Sequence, residues 1–303
     1  VEPSVKHLKD GLTAGLVWSV ALGLVLFAGV PDLRAQEKSF LWKVRSERNS
    51  LHILGSIHFL RRNDYPLRKV IEEAFAHAKQ LVLEVDLSSV NRGKIQQLTL
   101  EKGVLQNGAT LQQSISPETY ELAEKRAREL GLDIRAMDSL KPWVAALTLA
   151  AMKLRKLGFD PDVGVDRYFA DRAKQEEKPV QGLETPEFQI GLFGQFSRHD
   201  QELMLLQTLK EMDLLEHSVE RIMNAWKDGD VAAMEKLMLA SMREYPEVRQ
   251  KLIDDRNRRW VPQLEQLLSG GERVLVIVGA AHLVGPTGVI ELLKRRGYRV
   301  EQL

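Results

Sequence analysis

The chain reads as an α/β protein, with a central mixed, largely parallel sheet built from two β-Gly-x-x-His-α-β units and a large helical insertion between them. Three observations predict this. Two short apolar runs, Leu51-His52-Ile53-Leu54 and Val274-Leu275-Val276-Ile277-Val278, end in Gly55-Ser56-Ile57-His58 and Gly279-Ala280-Ala281-His282. Apolar, β-branched runs bounded by glycine have the form of buried strands. Each is followed by a helical stretch (about 66–79 and about 287–296) and a further strand, Leu81-Val82-Leu83-Glu84-Val85 and Tyr298-Arg299-Val300. Between the two units, from about 88 to 270, the pattern is overwhelmingly helical.

In chain order, Lys6 and Lys9 precede an uncharged run from Gly11 to Val30, then Pro31 and the small residue Ala35. A charged region, an apolar region and a small-residue cleavage point make residues 1–35 a signal peptide. The run is also about long enough to span a bilayer, so an uncleaved anchor through residues 11–30 is the alternative. Both place the body, 38–303, outside the cytoplasm, periplasmic or extracytoplasmic. Phe40-Leu41-Trp42-Lys43-Val44 and the run at 51–54 flank a turn-rich segment and predict an antiparallel hairpin.

Within the insertion, Ser116-Pro117-Glu118 caps a helix that Gly131 closes. Further helices are expected from about Pro142 to Gly158, Val165 to Glu177, Arg198 to Lys227, Val231 to Met242 and Glu247 to Leu268. Pro179-Val180-Gln181-Gly182-Leu183 is a candidate strand ending at Glu184, and Thr185-Pro186-Glu187 starts the helix after it. Gly270-Gly271 marks the return to the sheet. The first and last units need each other to complete one sheet, which predicts a single domain.

Composition narrows the chemistry. The formal net charge is +1, from 43 basic and 42 acidic residues, so no bulk field attracts a nucleic acid. Apolar residues make up 44% and charged residues 28%, the balance of a globular chain. With no cysteine, disulfides, thiolate metal sites and cysteine nucleophiles are excluded. A transition-metal site must then use carboxylates and some of the seven histidines.

The two Gly-x-x-His turns supply the candidates. Gly55 and Gly279 let the backbone turn sharply or approach a ligand. His58 and His282 then stand just past strand ends, where open α/β sheets place their ligands. Glu84 sits in an apolar strand, where a lone carboxylate is costly unless paired or coordinated. Two imidazoles and one carboxylate are the usual composition of a hydrolytic metal centre. His52 is expected to face away as packing or support, His77 to lie near a helix end, and His199 and His217 on solvated helices. Ser56 lies in the first turn without an independent mark of a nucleophile. No Gly-x-Ser-x-Gly elbow, Walker loop, His-Glu-x-x-His or dinucleotide fingerprint is present.

The two turns, the strand ending Leu83-Glu84 and the terminal run from Val274 resemble the TraB/GumN family, as do LKPWVAA at 140–146, Gly164-Val165-Asp166, QGLETPEFQ at 181–189 and DRNRRW at 255–260. That family is similar to the Tiki metalloproteases and more distantly to the erythromycin-esterase and ChaN-like group. The resemblance implies a divalent ion (Mn, Co or Zn) on His58 and His282, with Glu84 as ligand or general base. It also marks Asp166, Glu184, Arg256 and Asn257 as pocket residues. The expected function is an exported or membrane-anchored metal-dependent hydrolase acting on a peptide or protein, with Arg256 stabilising the oxyanion. The alternatives are a non-catalytic binder of a peptide signal and a haem- or iron-binding protein.

Overall fold

A computed structural model describes residues 38–87, 92–239, 242 and 245–303. The predicted signal peptide or anchor at 1–35 lies outside them. No helix of the described residues is long and apolar enough to cross a membrane. Strands β1 (Leu41–Arg45), β2 (Ser50–Ser56), β3 (Gln80–Val85), β4 (Val180–Glu184), β5 (Val274–Gly279) and β6 (Arg299–Gln302) form one sheet in the order β4-β3-β5-β2-β1-β6. β4, β3, β5 and β2 are parallel neighbours, while β1 is antiparallel to both β2 and β6. The mixed, mostly parallel α/β architecture is therefore present, including the hairpin and the candidate strand at 180–184.

Strand β5 lies at the centre, buried along its whole length. Five consecutive apolar residues suit a strand covered on both faces, where alternation has no use. It is inserted between β2 and β3, the two strands of the first unit. Register then aligns the turns, because Ser56 is opposite Gly279 and Leu83 is opposite Ile277. The ends of β2, β3 and β5 thus emerge on one edge.

The helices are α1 (Lys69–His77), α2 (Arg92–Gly103), α3 (Leu111–Ser114), α4 (Pro117–Glu129), α5 (Pro142–Lys156), α6 (Val165–Gln175), α7 (Pro186–Phe193), α8 (Arg198–Glu211), α9 (Leu215–Lys227), α10 (Val231–Leu239), α11 (Pro246–Arg249), α12 (Asp255–Ser269) and α13 (Val289–Arg295). The caps predicted from sequence are in place. The hydroxyls of Ser116 and Thr185 accept from the N–H groups of Thr119 and Phe188, each beside a proline at the first helical position. The insertion has a core of its own, in which Leu111, Ala123, Ala127, Ala145, Leu149 and Leu205 are fully buried.

Two expected helices differ in detail. The run from Arg198 to Lys227 is two helices, α8 and α9, separated at 212–214. The buried Arg126 explains the break: its Nε donates to the Leu209 carbonyl (3.1 Å), and its Nη1 to Asp213 Oδ1 (2.8 Å). A tertiary partner claims the last turn of α8, with no glycine or proline involved. The stretch from Glu247 to Leu268 is helical but carries a π turn at Gln250–Asp254 between α11 and α12. Such turns are uncommon and recur at functional sites; this one immediately precedes Arg256.

Candidate functional site

Four strand ends (β2, β3, β4 and β5), the first turns of α6 and α12, and α7 supply the site. Gly279 closes β5, and its N–H donates to Glu84 Oε1 at 2.7 Å. A Cβ on Gly279 would stand 3.2 Å from Glu84 Oε1, 3.5 Å from His58 Nε2 and 3.6 Å from His282 Cδ2. The missing side chain is therefore the floor of a cradle on which the three predicted residues converge. His282 Nε2 and Glu84 Oε1 are 3.8 Å apart.

Each imidazole has its Nδ1 side fixed. The first turn of α6 delivers Asp166, whose Oδ2 accepts from His58 Nδ1 at 2.8 Å while Oδ1 accepts from Ser56 Oγ at 2.8 Å. α6 can begin there because Gly164 packs against the His58 backbone; a Cβ at Gly164 would meet the His58 carbonyl oxygen at 2.1 Å. On the other side, α12 presents Arg256, Asn257 and Trp260, which share one helix face and are all buried. The Asn257 amide donates from Nδ2 to the Thr287 carbonyl (2.8 Å), so its Oδ1 accepts from His282 Nδ1 (2.7 Å). The proton of His282 is thereby kept on Nδ1 and the lone pair on Nε2. In the neutral His58 ring, Asp166 imposes the same tautomer.

Arg256 ties the carboxylates together. Its Nη2 donates to Glu84 Oε2 (2.6 Å), its Nε to Glu184 Oε2 (3.0 Å), and its Nη1 to the Leu252 carbonyl (3.1 Å) and His282 Nε2 (3.1 Å). Nη2 also lies 2.8 Å from Glu184 Oε2. All three nitrogens of the guanidinium are thus hydrogen-bonded. Gln189, on α7, donates to Glu84 Oε2 (2.9 Å) and Glu184 Oε2 (3.2 Å). The Trp260 ring covers His282, with centroids 4.4 Å apart.

These contacts set the charges. Burial alone pushes the Glu84 carboxyl up, but the fields of His282, Arg256 and His58 and the Gly279 N–H outweigh it and hold it well below the usual carboxylate range. Burial lowers His282 to about 3, so it is neutral. The Asp166 carboxylate raises His58 to about 9 against the opposing effect of burial. The His58 side chain is 59% exposed along the cleft, where water screens part of that attraction.

A pH dependence of stability follows for the metal-free protein. Between pH 6.5 and about 3 the unfolded chain binds a proton at His282 that the folded chain refuses, so stability falls as the pH drops. Between pH 6.5 and about 9 the folded chain holds a proton at His58 that the unfolded chain loses, so stability falls as the pH rises. Urea midpoints of chelator-treated protein across this range check the expectation. His282→Gln should flatten the acid limb down to about pH 4.5, below which Glu84 still contributes, and His58→Gln the alkaline one. Unaltered limbs would contradict the assigned charges.

Of the residues proposed from sequence, His58 and Asp166 form one hydrogen-bonded group and Glu84, His282, Gly279, Glu184, Arg256 and Asn257 another, and the two groups meet around Gly279. Gly55 stands behind them: its carbonyl accepts from Trp226 Nε1 at 2.7 Å, and a Cβ there would meet Phe40 at 2.5 Å. His52 is registered with Lys43 and Leu275 within the sheet, His77 ends α1, and His199 and His217 are exposed. Sequence reasoning left Ser56 without a role and passed over Gln189 and Trp260. Trp260 was within reach, since Arg256, Asn257 and Trp260 follow helical spacing. Nothing local marks Gln189.

Among the described residues, no three His, Asp or Glu side chains are gathered closely enough to hold a metal ion as they stand. The donors themselves suit one: His282, neutral with its lone pair on Nε2, His58, whose Nε2 becomes a donor once its proton is displaced, and a carboxylate kept ionised. The 3.8 Å between His282 Nε2 and Glu84 Oε1 is shorter than two bonds of about 2.1 Å, so one ion can bridge them.

The fold and site define an α/β protein with a His/Glu/His/Arg centre at the carboxyl edge of a parallel sheet. Residues 40–302 match the TraB/PrgY/gumN family, and the chain belongs to it. It is 26% identical over 244 residues to the uncharacterized protein YbaP of Escherichia coli (strain K12), covering 80% of this chain and 87% of that one. It is also 19% identical over 283 residues to an uncharacterized protein of Treponema pallidum (strain Nichols), covering 88% and 83% of the two chains. No solved structure matches significantly.

Proposed function

We propose that the chain is a metal-dependent hydrolase, peptidase-like, working outside the cytoplasm with residues 11–30 as signal or anchor. The observation that carries this is the Gly279 cradle, on which two imidazoles and an ionised carboxylate converge. His58 Nε2, His282 Nε2 and Glu84 Oε1 would hold a divalent ion, with Mn, Co and Zn suited to these donors. Such an ion supplies a water of lowered pKa and polarises the scissile carbonyl.

The chain's own residues do the rest. Asp166 and Asn257 fix the ring orientations, as supporting partners of metal-binding histidines do. Glu84, held strongly ionised, suits the role of ligand better than that of proton acceptor, whose pKa belongs near the working pH. Arg256 compensates the Glu84 and Glu184 charges. When His282 Nε2 is engaged elsewhere, the Nη1 N–H now facing it is released and can meet an oxyanion.

The test is metal analysis of protein purified without chelator, paired with peptide hydrolysis. About one divalent ion per chain is expected, and both uptake and turnover should vanish in the His58→Ala/His282→Ala double variant with the fold retained. Hydrolysis unchanged in that variant ends the proposal. A second reading, a peptide-binding protein without catalysis, is favoured by the engagement of Arg256 through all three of its nitrogens, which ties up both carboxylates beside it. Peptide binding that survives chelation, with no ion bound, would establish it instead.

A further inference from the structure

We infer that the substrate is a peptide that presents an apolar side chain to a pocket beside His58. This rests on the hydrolase reading and adds a substrate class to it. An outer cavity of about 310 Å³ is walled by Phe59, Leu87, Ile95 and Pro161, with His58 and Asp166 at its inner end. An inner cavity of about 210 Å³ reaches Glu84 and Gln189. The two share His58, Leu87 and Asp166, so they form one cleft, which His58 and Glu84 of the candidate centre line.

The walls of the outer part are mainly apolar; the exposed Asp162 also lines it, and Asp166 and Arg167 are engaged. Asp166 is held by Ser56 and His58. Arg167 donates from Nη1 to the Leu87 carbonyl at 3.2 Å and lies 3.6 Å from Asp171. An acidic side chain entering there would lose its water beside Asp162 and Asp166, both of its own charge. An aliphatic or aromatic one loses only apolar hydration. The volume, at the lower end of the roughly 300–1,000 Å³ of small-molecule sites, suits one large side chain of a longer ligand. Ile95 and Pro161 belong to the helical insertion, so the insertion selects the residue while the sheet edge holds the reacting groups.

The experiment uses the full chain, loaded with Mn or Zn, and an equimolar mixture of synthetic peptides covering every pair of residues at the centre. Mass spectrometry reads the bonds cut. Cleavage should concentrate where Leu, Ile, Val or Phe occupies one fixed position beside the scissile bond, with glycine there about tenfold poorer or worse. Ile95→Asp should abolish that preference at unchanged metal content. Leu87→Ala should shift it toward Phe, and Ile95→Phe toward small residues, so the test survives if one variant fails to fold.

A profile with no apolar preference, or one identical in folded variants, overturns the subsite and leaves the hydrolase reading standing. If the wild type cuts nothing, the hydrolase reading has failed and binding decides the subsite. Fluorescence polarisation then compares a labelled peptide carrying a central Leu with its Asp counterpart. Tighter binding of the Leu peptide, lost in Ile95→Asp, sustains the subsite; equal binding overturns it.

Discussion

Replacing Arg256 by alanine is expected to cost about 3–5 kcal/mol of folding stability, the usual consequence of removing one partner from a buried charged group. The side chains of Arg256, Glu84 and Glu184 are only 9%, 11% and 6% exposed, so water cannot take over the compensation. Both carboxylates would be left facing each other across Gln189, the one remaining donor common to both. For a domain of this size the melting temperature should drop by about 6–20 °C. Equilibrium denaturation of the metal-free protein measures the loss directly. Two companions give the number its meaning. Arg256→Met combined with Glu84→Gln and Glu184→Gln removes the charges together, and most of the stability should return. Adding a divalent cation to Arg256→Ala should also restore part of it, because a bound ion replaces the missing positive charge. A loss below about 1 kcal/mol, typical of exposed pairs, would show that the trio is not a buried charge cluster.

The second large effect is expected at Gly164, which reaches neither the cradle nor a ligand. A Cβ there meets the His58 oxygen at 2.1 Å, the carbonyl carbon at 2.6 Å and Cα at 3.1 Å. All three are backbone atoms, so no rotamer change relieves the clash. Gly164→Ala must push the start of α6 away from the end of β2. That strains the Val165 N–H to Ile57 carbonyl bond (3.0 Å) and both bonds of Asp166. Overpacking alone suggests about 1–3 kcal/mol of destabilisation. The more specific readout is the imidazole of His58: its titration by proton NMR should fall from near 9 back toward 6.5 as Asp166 withdraws. Gly191→Ala is the control, because nothing lies within 4 Å of its added Cβ and it sits inside α7. There the change should be neutral or stabilising by up to about 1 kcal/mol.

Much of this arrangement was legible from local pattern. The β-branched runs before Gly55 and Gly279 announced buried strands, and a carboxylate within Leu81–Val85 announced a partner. Gly164-Val165-Asp166 and DRNRRW carried the residues that orient both imidazoles. What pattern could not supply was register. That β5 separates β2 from β3, bringing Gly279 under Glu84, depends on pairings between residues nearly two hundred positions apart. Periodicity reports which side of an element is buried and says nothing about its neighbour. The same limit hid the break between α8 and α9, which is made by Arg126 from another helix. Gln189 stayed hidden because its importance lies in two carboxylates on separate strands. Arg256 was visible as a candidate, but its bonds to two carboxylates, a carbonyl and an imidazole required the fold.

The central position of β5 also constrains how the chain can assemble. Before residues 274–279 are made, the only strand pairs available are the β1–β2 hairpin and the β3–β4 pair. These two halves share no edge until β5 arrives between them. A nascent chain must therefore extend past residue 279 before its halves can be zipped together, and pairings so distant in sequence are slow to form. Closure of the sheet waits for β5, and the chain stays open and threadable for as long as that strand is missing.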